Sequence, residues 1–211
     1  IINSAGCGSN LKEYGHLLHD DPAYATRANA FSSKVKDISE FLMSIELNRE
    51  MGSVNRTVTY HDACHLFHGQ KIKLQPRELL HAIPGLTIVN LKESDWCCGS
   101  AGIYNITNQE MASQLLERKM NNILATDTHT VITGNPGCMM QIALGARKKG
   151  YELTVMHPVQ LLDESYRAKG FYEVSVRERN TTLLSGRTLA VAIGIAIISG
   201  YSITRRLQKR H

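Results

Sequence analysis

Four cysteines stand in this chain at the ends of three short runs of apolar and β-branched residues. Cys64 follows the first run, the adjacent Cys97 and Cys98 follow the second, and Cys138 follows the third, in the pattern C-x32-CC-x39-C. Loops after successive parallel strands open on the same edge of a sheet, so we expect these four thiols to converge on one point. Four sulfur ligands around one point are typical of an iron–sulfur cluster or of zinc.

The residues around these cysteines favour a metal centre over ordinary buried thiols. Gly99 and Gly137 let the backbone pass close to a bulky inorganic core and offer N–H groups to sulfide. Cys64, Cys98 and Cys138 are each expected in a strand-to-helix turn, where the helix N-terminus lowers the thiol pKa. A single cysteine is usually a small buried hydrophobe, but four at strand ends beside glycines favour metal binding.

Three histidines accompany the cysteines. His61 and His65 lie on either side of Cys64, and His157 ends a fourth strand-like run at the same predicted edge. Each imidazole could bind the metal itself, and each could instead donate a hydrogen bond to a ligand or occupy a turn.

A weak internal repeat adds Cys7 to the candidate ligands. Residues 1–7 resemble residues 132–138, since both consist of an apolar run, Asn, a small residue, Gly and Cys. Chance similarity is the alternative for so short a match. The chain begins with Ile1 in a strand-like piece, and we interpret it as the C-terminal portion of a longer protein whose earlier repeat is represented only by its end.

The central part of the chain alternates between strand-like and helical segments. Strands are predicted at residues 58–61, 86–91, 130–133 and 153–156, and helices near residues 77–82, 107–125, 138–149 and 158–166. This order predicts a Rossmann-like α/β fold, in which helices flank a parallel sheet and the cysteine loops follow the strands. The helix at 107–125 should begin with a capping box, and its inward side chains are predicted to be Met111, Leu115, Leu116 and Ile123.

Residues 23–48 are predicted to form one further helix, because apolar residues recur there at spacings of four and three. We divide the chain into residues 1–55, which hold the end of a first repeat and this helix; residues 56–168, the cysteine-rich domain; and residues 169–211, a basic tail.

The charge distribution excludes a nucleic-acid surface on the folded part. Residues 1–166 carry 15 Lys and Arg against 17 Asp and Glu, whereas residues 167–211 carry 9 against 2. Backbone binding needs clustered basic residues, which the folded part lacks. Five cysteines among 211 residues are too few for a secreted disulfide scaffold, which favours the reducing cytoplasm.

The tail contains an apolar segment at residues 188–203 without any charge. As a helix it would be about 24 Å long, against a hydrocarbon core of about 30 Å. Basic residues follow it at Arg205, Arg206, Lys209 and Arg210. We predict that residues 183–211 hold the chain at the inner face of the cell membrane. The alternative is a helix that packs on the domain or on a partner.

Together the motifs resemble the cysteine-rich CCG domain of glycolate oxidase iron–sulfur subunits, a heterodisulfide-reductase-like group. The matching segments are His-Asp-Ala-Cys-His at 61–65, Cys-Cys-Gly-Ser-Ala-Gly-Ile-Tyr-Asn at 97–105, Thr-Gly-Asn-Pro-Gly-Cys at 133–138 and His-Pro-Val-Gln-Leu-Leu-Asp at 157–163. Residues 3–8 and 11–15 resemble the end of the first such domain. The wider group often has one more cysteine where this chain has Gln141, which leaves four cysteines for the site.

The resemblance implies an electron-transfer subunit that holds an iron–sulfur cluster, which we expect to be of the 4Fe-4S type. Electrons would come from an FAD-containing partner that oxidises a 2-hydroxy acid, and would pass towards a quinone or another membrane acceptor. The chain itself should oxidise no substrate, since it has no flavin or nicotinamide fingerprint. Two alternatives stay open: a zinc-stabilised binding module without redox work, and a redox subunit for D-lactate or a dithiol.

Overall fold

The computed structural model of this chain describes residues 1–171. These residues include the whole of one compact unit, Ile1–Lys169. The apolar helix and the basic segment that we predict after residue 183 lie outside the described residues. Within residues 1–171, no helix combines the length and the apolar character needed to cross a membrane.

Helices and strands alternate through the described part, as the sequence pattern predicts. In chain order they are α1 (Ala5–Lys12), α2 (Tyr14–Leu17), α3 (Ala25–Ser32), α4 (Ile38–Met43), β1 (Arg56–Tyr60), a π-helix (His65–Gly69), α5 (Gln75–His81), β2 (Leu86–Val89), α6 (Tyr104–Thr107), α7 (Gln109–Leu124), β3 (Thr130–Ile132), α8 (Pro136–Lys148), β4 (Thr154–Met156) and α9 (Pro158–Ala168).

The four strands form one sheet in the order β2-β1-β3-β4. All three strand pairs are parallel, which confirms the predicted α/β fold with a parallel sheet. The chain runs from β1 outward to β2 and then returns to place β3 on the other side of β1. Strand order therefore reverses between β1 and β3, and parallel sheets leave a crevice at the carboxyl ends of such strands.

Two hydrophobic cores lie on the two faces of the sheet. In β3, Val131 packs into one core with α7 and α8, while the next residue, Ile132, packs into the other with α5 and α9. Successive strand side chains point to opposite faces, so a run of apolar residues serves both cores. Cys98 and Cys138 belong to the core that contains Val131, which places them beneath the crevice.

The single helix that we predict at residues 23–48 is wrong, because the structure divides this segment into α3 and α4. The backbone of Asp37 is extended, and its carboxylate accepts a hydrogen bond from the Ser39 N–H at 2.8 Å to cap α4. The Ile38 N–H also donates to the carbonyl of Ile2 at 2.8 Å. Pairing with the N-terminal segment thus interrupts a helix that spacing alone would continue.

The beginning of α7 also differs from the prediction. Thr107 ends the short α6, where its hydroxyl donates to the Ile103 carbonyl at 3.3 Å, so it does not cap the following helix. Leu116 and Ile123 are buried as predicted, whereas Met111 is 48% exposed. Thr107 cannot cap α7 because it already belongs to α6.

Candidate metal centre

The predicted cysteines converge where strand order reverses. Cys64 lies at the start of the π-helix that follows β1, and Cys138 is the third residue of α8, which follows β3. Cys97 and Cys98 lie in the loop after β2. Because β1 is flanked by β2 and β3, these three loops are neighbours. Cys98 differs from the prediction in one respect: it lies well before α6, so no helix begins directly after it.

The cysteines share one cavity of about 890 Å³. Its walls include all five cysteines of the chain, together with Asn10, His65, Ile106, Asn135, Met140 and Gln141. Cys98 and Cys138 are buried, Cys64 and Cys97 are half-buried, and Cys7 is exposed. The structure thus brings together the four cysteines of the C-x32-CC-x39-C pattern. That they bind a metal stays a prediction.

His61 contributes a nitrogen to the same place. Its imidazole lies with the thiols of Cys98 and Cys138 so that one ligand atom from each falls within 4.8 Å of the others, and all three residues are buried. The His61 Nδ1 hydrogen-bonds the Ser94 carbonyl at 2.9 Å, which assigns the proton to Nδ1. The buried Nε2 has no hydrogen-bond partner among the described atoms. An orphaned imidazole lone pair beside two thiols fits a metal-binding group.

Hydrogen bonds among the four thiols shift their pKa values in opposite directions. Hydrogen bonds from Cys64 and then Cys98 lower the pKa of Cys97. A hydrogen bond from Cys98 lowers the pKa of Cys138 despite its burial, and the Asn135 amide contributes in the same direction. The donors show the opposite effect, since these bonds and burial raise the pKa of Cys64 and Cys98. Metal binding to such a set would release the protons that remain.

The residues that form this site coincide with a known sequence family. The family model described as "Cysteine-rich domain" (CCG) matches residues 58–143, a range that includes all four predicted ligand cysteines. Residues 58–143 of this chain therefore belong to the cysteine-rich CCG family. The resemblance drawn from the motifs is thereby confirmed.

Similar curated proteins match most of this chain. A probable glycolate oxidase iron–sulfur subunit from Bacillus subtilis is 40% identical over 169 residues, covering 78% of this chain and 38% of that protein. A subunit of the fumarate reductase (CoM/CoB) from Methanothermobacter marburgensis is 39% identical over 79% of this chain and 32% of its own length. Lactate utilization protein A from Oceanobacillus iheyensis is 30% identical over 76% of this chain and 66% of its own length. This CCG chain therefore spans about a third of the first two relatives and just under two thirds of the third.

Glycines allow the cysteine loops of this CCG domain to pack closely. Gly99 has a φ of +86°, and a side chain there would clash with the Ala112 carbonyl oxygen of α7. Its own N–H donates to the Cys97 sulfur at 3.3 Å. A Cβ on Gly137 would lie 2.8 Å from the Ser100 hydroxyl. Gly99 is thus needed for close backbone approach beside the sulfurs, and Gly137 leaves room for the Ser100 side chain.

The Ser94 carbonyl organises the buried side of the CCG site, and sequence reasoning missed this. It accepts hydrogen bonds from the Asp62 N–H at 3.0 Å, the His61 Nδ1 at 2.9 Å and the Lys119 Nζ at 3.4 Å. Lys119 is 2% exposed, and burial lowers the pKa of its amine. The sequence did indicate that Lys119 is buried, because this residue lies on the same inward face of α7 as Leu116. A buried cation next to the thiols offsets negative charge that a cluster of thiolates would carry.

The other histidines occupy different positions. His65 lines the cavity, and its Nδ1 lies 3.7 Å from the Cys64 sulfur. His157 caps α9, because its Nδ1 accepts a hydrogen bond from the Val159 N–H at 3.3 Å. Burial lowers the pKa of His157. The structure therefore keeps His65 beside the cysteines and gives His157 a role at the neighbouring helix.

Apolar side chains surround the opening of the cavity. Ile106 and Met140 line it and are 68% and 69% exposed, and the adjacent Ile103 is 73% exposed. Gln141, which stands where the wider group often has a cysteine, is buried in the cavity wall. Exposed apolar residues grouped around an opening are characteristic of surfaces that bind another molecule.

Proposed function

We propose that this chain is the iron–sulfur electron-transfer part of a complex of the glycolate oxidase or glycolate dehydrogenase type. The observation that carries the proposal is the convergence of Cys64, Cys97, Cys98 and Cys138 in one cavity beside the free Nε2 of His61. The names of the similar proteins from B. subtilis and M. marburgensis, an iron–sulfur subunit and a reductase subunit, support a redox role.

The four cysteines would hold the cluster, which we propose to be of the 4Fe-4S type because four thiolates are its common ligand set. When bound, the cluster supplies one-electron transfer. Its surroundings are arranged for that role, since the Gly99 N–H donates to the Cys97 sulfur. Burial of Cys98 and Cys138 excludes water from one side of the site, and the exclusion of solvent and the N–H···S bond both tune a reduction potential.

Electrons would arrive from an FAD-containing subunit that oxidises a 2-hydroxy acid. We assign its approach to the exposed side chains of Ile106 and Met140, because they line the cavity that contains the cysteines. From this chain electrons would continue to a quinone or another membrane acceptor, with residues 183–211 holding the chain at the inner face of the membrane. Fractionation of the full chain and of a version ending at Phe171 tests the last point, since only the full chain should sediment with membranes.

The deciding experiment is anaerobic purification followed by metal analysis and redox assays. We expect bound iron with acid-labile sulfide, a visible absorption that bleaches on reduction, and no glycolate-dependent dye reduction by the chain alone. Addition of the flavoprotein partner should permit reduction of the cluster by a 2-hydroxy acid. Parallel assays with glycolate, D-lactate and a dithiol then identify the donor. A protein that oxidises glycolate by itself, or that contains no iron after anaerobic purification, contradicts the proposal.

The approach of the partner can be tested separately with a matched pair of substitutions. Ile106→Glu places a charge at the cavity opening, whereas Leu74→Glu places the same charge on a side chain that is 65% exposed and does not line the cavity. We expect Ile106→Glu alone to slow cluster reduction by the partner about tenfold, with cluster content unchanged. Equal rates of cluster reduction in the two variants would show that the partner docks at another surface.

One observation favours a second function. His61, Cys98 and Cys138 come within 4.8 Å of one another, and a nitrogen with two or three sulfurs at such spacing also suits tetrahedral zinc. In that case the chain would be a zinc-stabilised binding module. Zinc analysis of the anaerobic protein separates the two functions, because a zinc module would carry about one zinc ion per chain and no labile sulfide.

A further inference from the structure

The side chain of Asn135 bridges the starts of two helices that carry cysteines. Its Oδ1 accepts a hydrogen bond from the Gly6 N–H of α1 at 3.3 Å, and its Nδ2 donates to the Cys138 sulfur of α8 at 3.3 Å. A backbone N–H can only donate, so the amide oxygen must face Gly6 and the NH₂ group must face the sulfur. Only one of the two orientations of the amide therefore satisfies both neighbours.

The N-terminal segment is held against the same loop by further bonds. The Ala5 N–H donates to the Gly134 carbonyl at 3.1 Å, and the Gln70 Nε2 donates to the Ala5 carbonyl at 2.9 Å. The π-helix that contains the residues after Cys64 packs against α1. The docked position of α1 therefore determines where the Asn135 amide lies, and the amide in turn contacts the Cys138 sulfur.

A hydrogen bond to a sulfur ligand changes the electronic properties of a metal centre. An N–H donor stabilises negative charge on the sulfur, which weakens donation to the metal and raises the reduction potential. We propose that Asn135 is a positioning residue that couples the docking of α1 to the reduction potential of the cysteine centre. This inference rests on the proposed function, since it requires a metal at Cys138, but it does not depend on the identity of the electron donor.

The test compares two substitutions that add the same charge to the cavity wall. Asn135→Asp keeps an oxygen for the Gly6 N–H and replaces the donor to sulfur with an acceptor. Asn10→Asp is the control, because Asn10 lines the same cavity on α1 and no described hydrogen bond joins it to a sulfur. We expect Asn135→Asp to shift the reduction equilibrium about tenfold towards the oxidised form, or 59 mV for one electron. Metal content should stay near that of the unmodified chain.

The coupling itself is tested at a distance from the sulfur. Gln70→Leu removes the bond to the Ala5 carbonyl and leaves Asn135 intact. We expect faster hydrogen exchange in residues 5–12 and a smaller potential shift in the same direction as Asn135→Asp. A potential unchanged by Gln70→Leu while α1 exchanges faster would contradict the coupling, and a potential that is the same in Asn135→Asp and Asn10→Asp would contradict the role of Asn135.

A cobalt measurement keeps this inference separate from the proposed function. If anaerobic protein contains zinc and no iron, the electron-transfer proposal fails, and Co²⁺ is substituted for the zinc. Loss of the N–H donor then moves the sulfur-to-cobalt charge-transfer band to longer wavelength in Asn135→Asp and leaves it in place in Asn10→Asp. A band that stays unmoved in both variants overturns the inference for that metal.

Discussion

The loops that lead into α1 and α8 have the same local structure and different surroundings. The residue before α1, Ser4, has φ −136° and ψ 108°, and the residue before α8, Asn135, has φ −141° and ψ 117°. Neither side chain caps its own helix, and in each helix the third residue is a cysteine. Yet Cys7 is exposed, whereas Cys138 is 2% exposed.

The difference arises from what precedes and covers each loop. The loop of Cys138 follows β3, which is paired on both sides within the sheet, and α7 packs against α8. The loop of Cys7 follows Ile2, whose bridge to Asp37 lies outside the sheet. Similar sequence therefore produces a similar turn, while neighbouring strands and helices determine whether its cysteine is buried among other thiols. The resemblance of the two turns agrees with an internal repeat, which stays a prediction.

Substitution of the two cysteines is expected to give the largest effect. Cys138→Ser should remove most of the bound metal and leave the fold largely intact, because one of four predicted ligands is lost from the buried set. Cys7→Ser should retain most of the metal. Metal analysis and circular dichroism of both variants measure this contrast.

Cys97→Ser provides an independent check on the shared site, and we expect it to behave like Cys138→Ser. Full metal content in Cys97→Ser would show that the four sulfurs do not act together. Equal metal loss in Cys7→Ser and Cys138→Ser would instead make the exposed Cys7 a ligand.

The glycines before these cysteines should differ in their tolerance of a methyl group. A Cβ on Gly137 would lie 2.8 Å from the Ser100 hydroxyl, whereas a Cβ on Gly6 would lie no closer than 3.7 Å, to the Asn135 Oδ1. Alanine is otherwise the better helix former. We expect Gly137→Ala to be less stable than Gly6→Ala by about 1–2 kcal/mol. Denaturant unfolding of both variants at equal metal content measures the difference, and equal stabilities would mean that the Ser100 loop adjusts freely.

The smallest expected effect is a pH dependence at His157, which lies near the N-terminal segment. Burial lowers the pKa of this imidazole below its usual 6.5 in the folded chain. Stability that depends on neutral His157 is therefore fully present above pH 6.5 and is lost as the pH falls below it, because the unfolded chain then binds the extra proton.

Unfolding of the unmodified chain and of His157→Asn at pH 7.5 and pH 5.5 tests this. Asn keeps a side-chain oxygen that can cap α9 and does not titrate. We expect the loss of stability between the two pH values to be smaller in His157→Asn. The same loss in both proteins would assign the pH dependence to other groups.

Much of the fold could be predicted from the sequence, because it depends on local periodicity. The strands ending before Cys64 and Cys138 are short β-branched runs, and glycine or proline marks the ends of α5 and α8. The convergence of the cysteine loops follows from a general property of parallel sheets. Errors occurred where distant segments compete with local preference, as at Asp37, where the pairing of Ile2 interrupts the apolar spacing of a helix.

The chemical environment of the site required the tertiary structure. The sequence determined which residue types are available: four cysteines after strands, with His61 beside one of them. It could not show that the proton of His61 lies on Nδ1, because the Ser94 carbonyl that fixes it belongs to another loop. Nor could it show that Asn135 joins α1 to Cys138, since Gly6 is 129 residues away along the chain. Periodicity reports which side of an element is buried, whereas hydrogen-bond partners across the fold depend on how all the elements pack together.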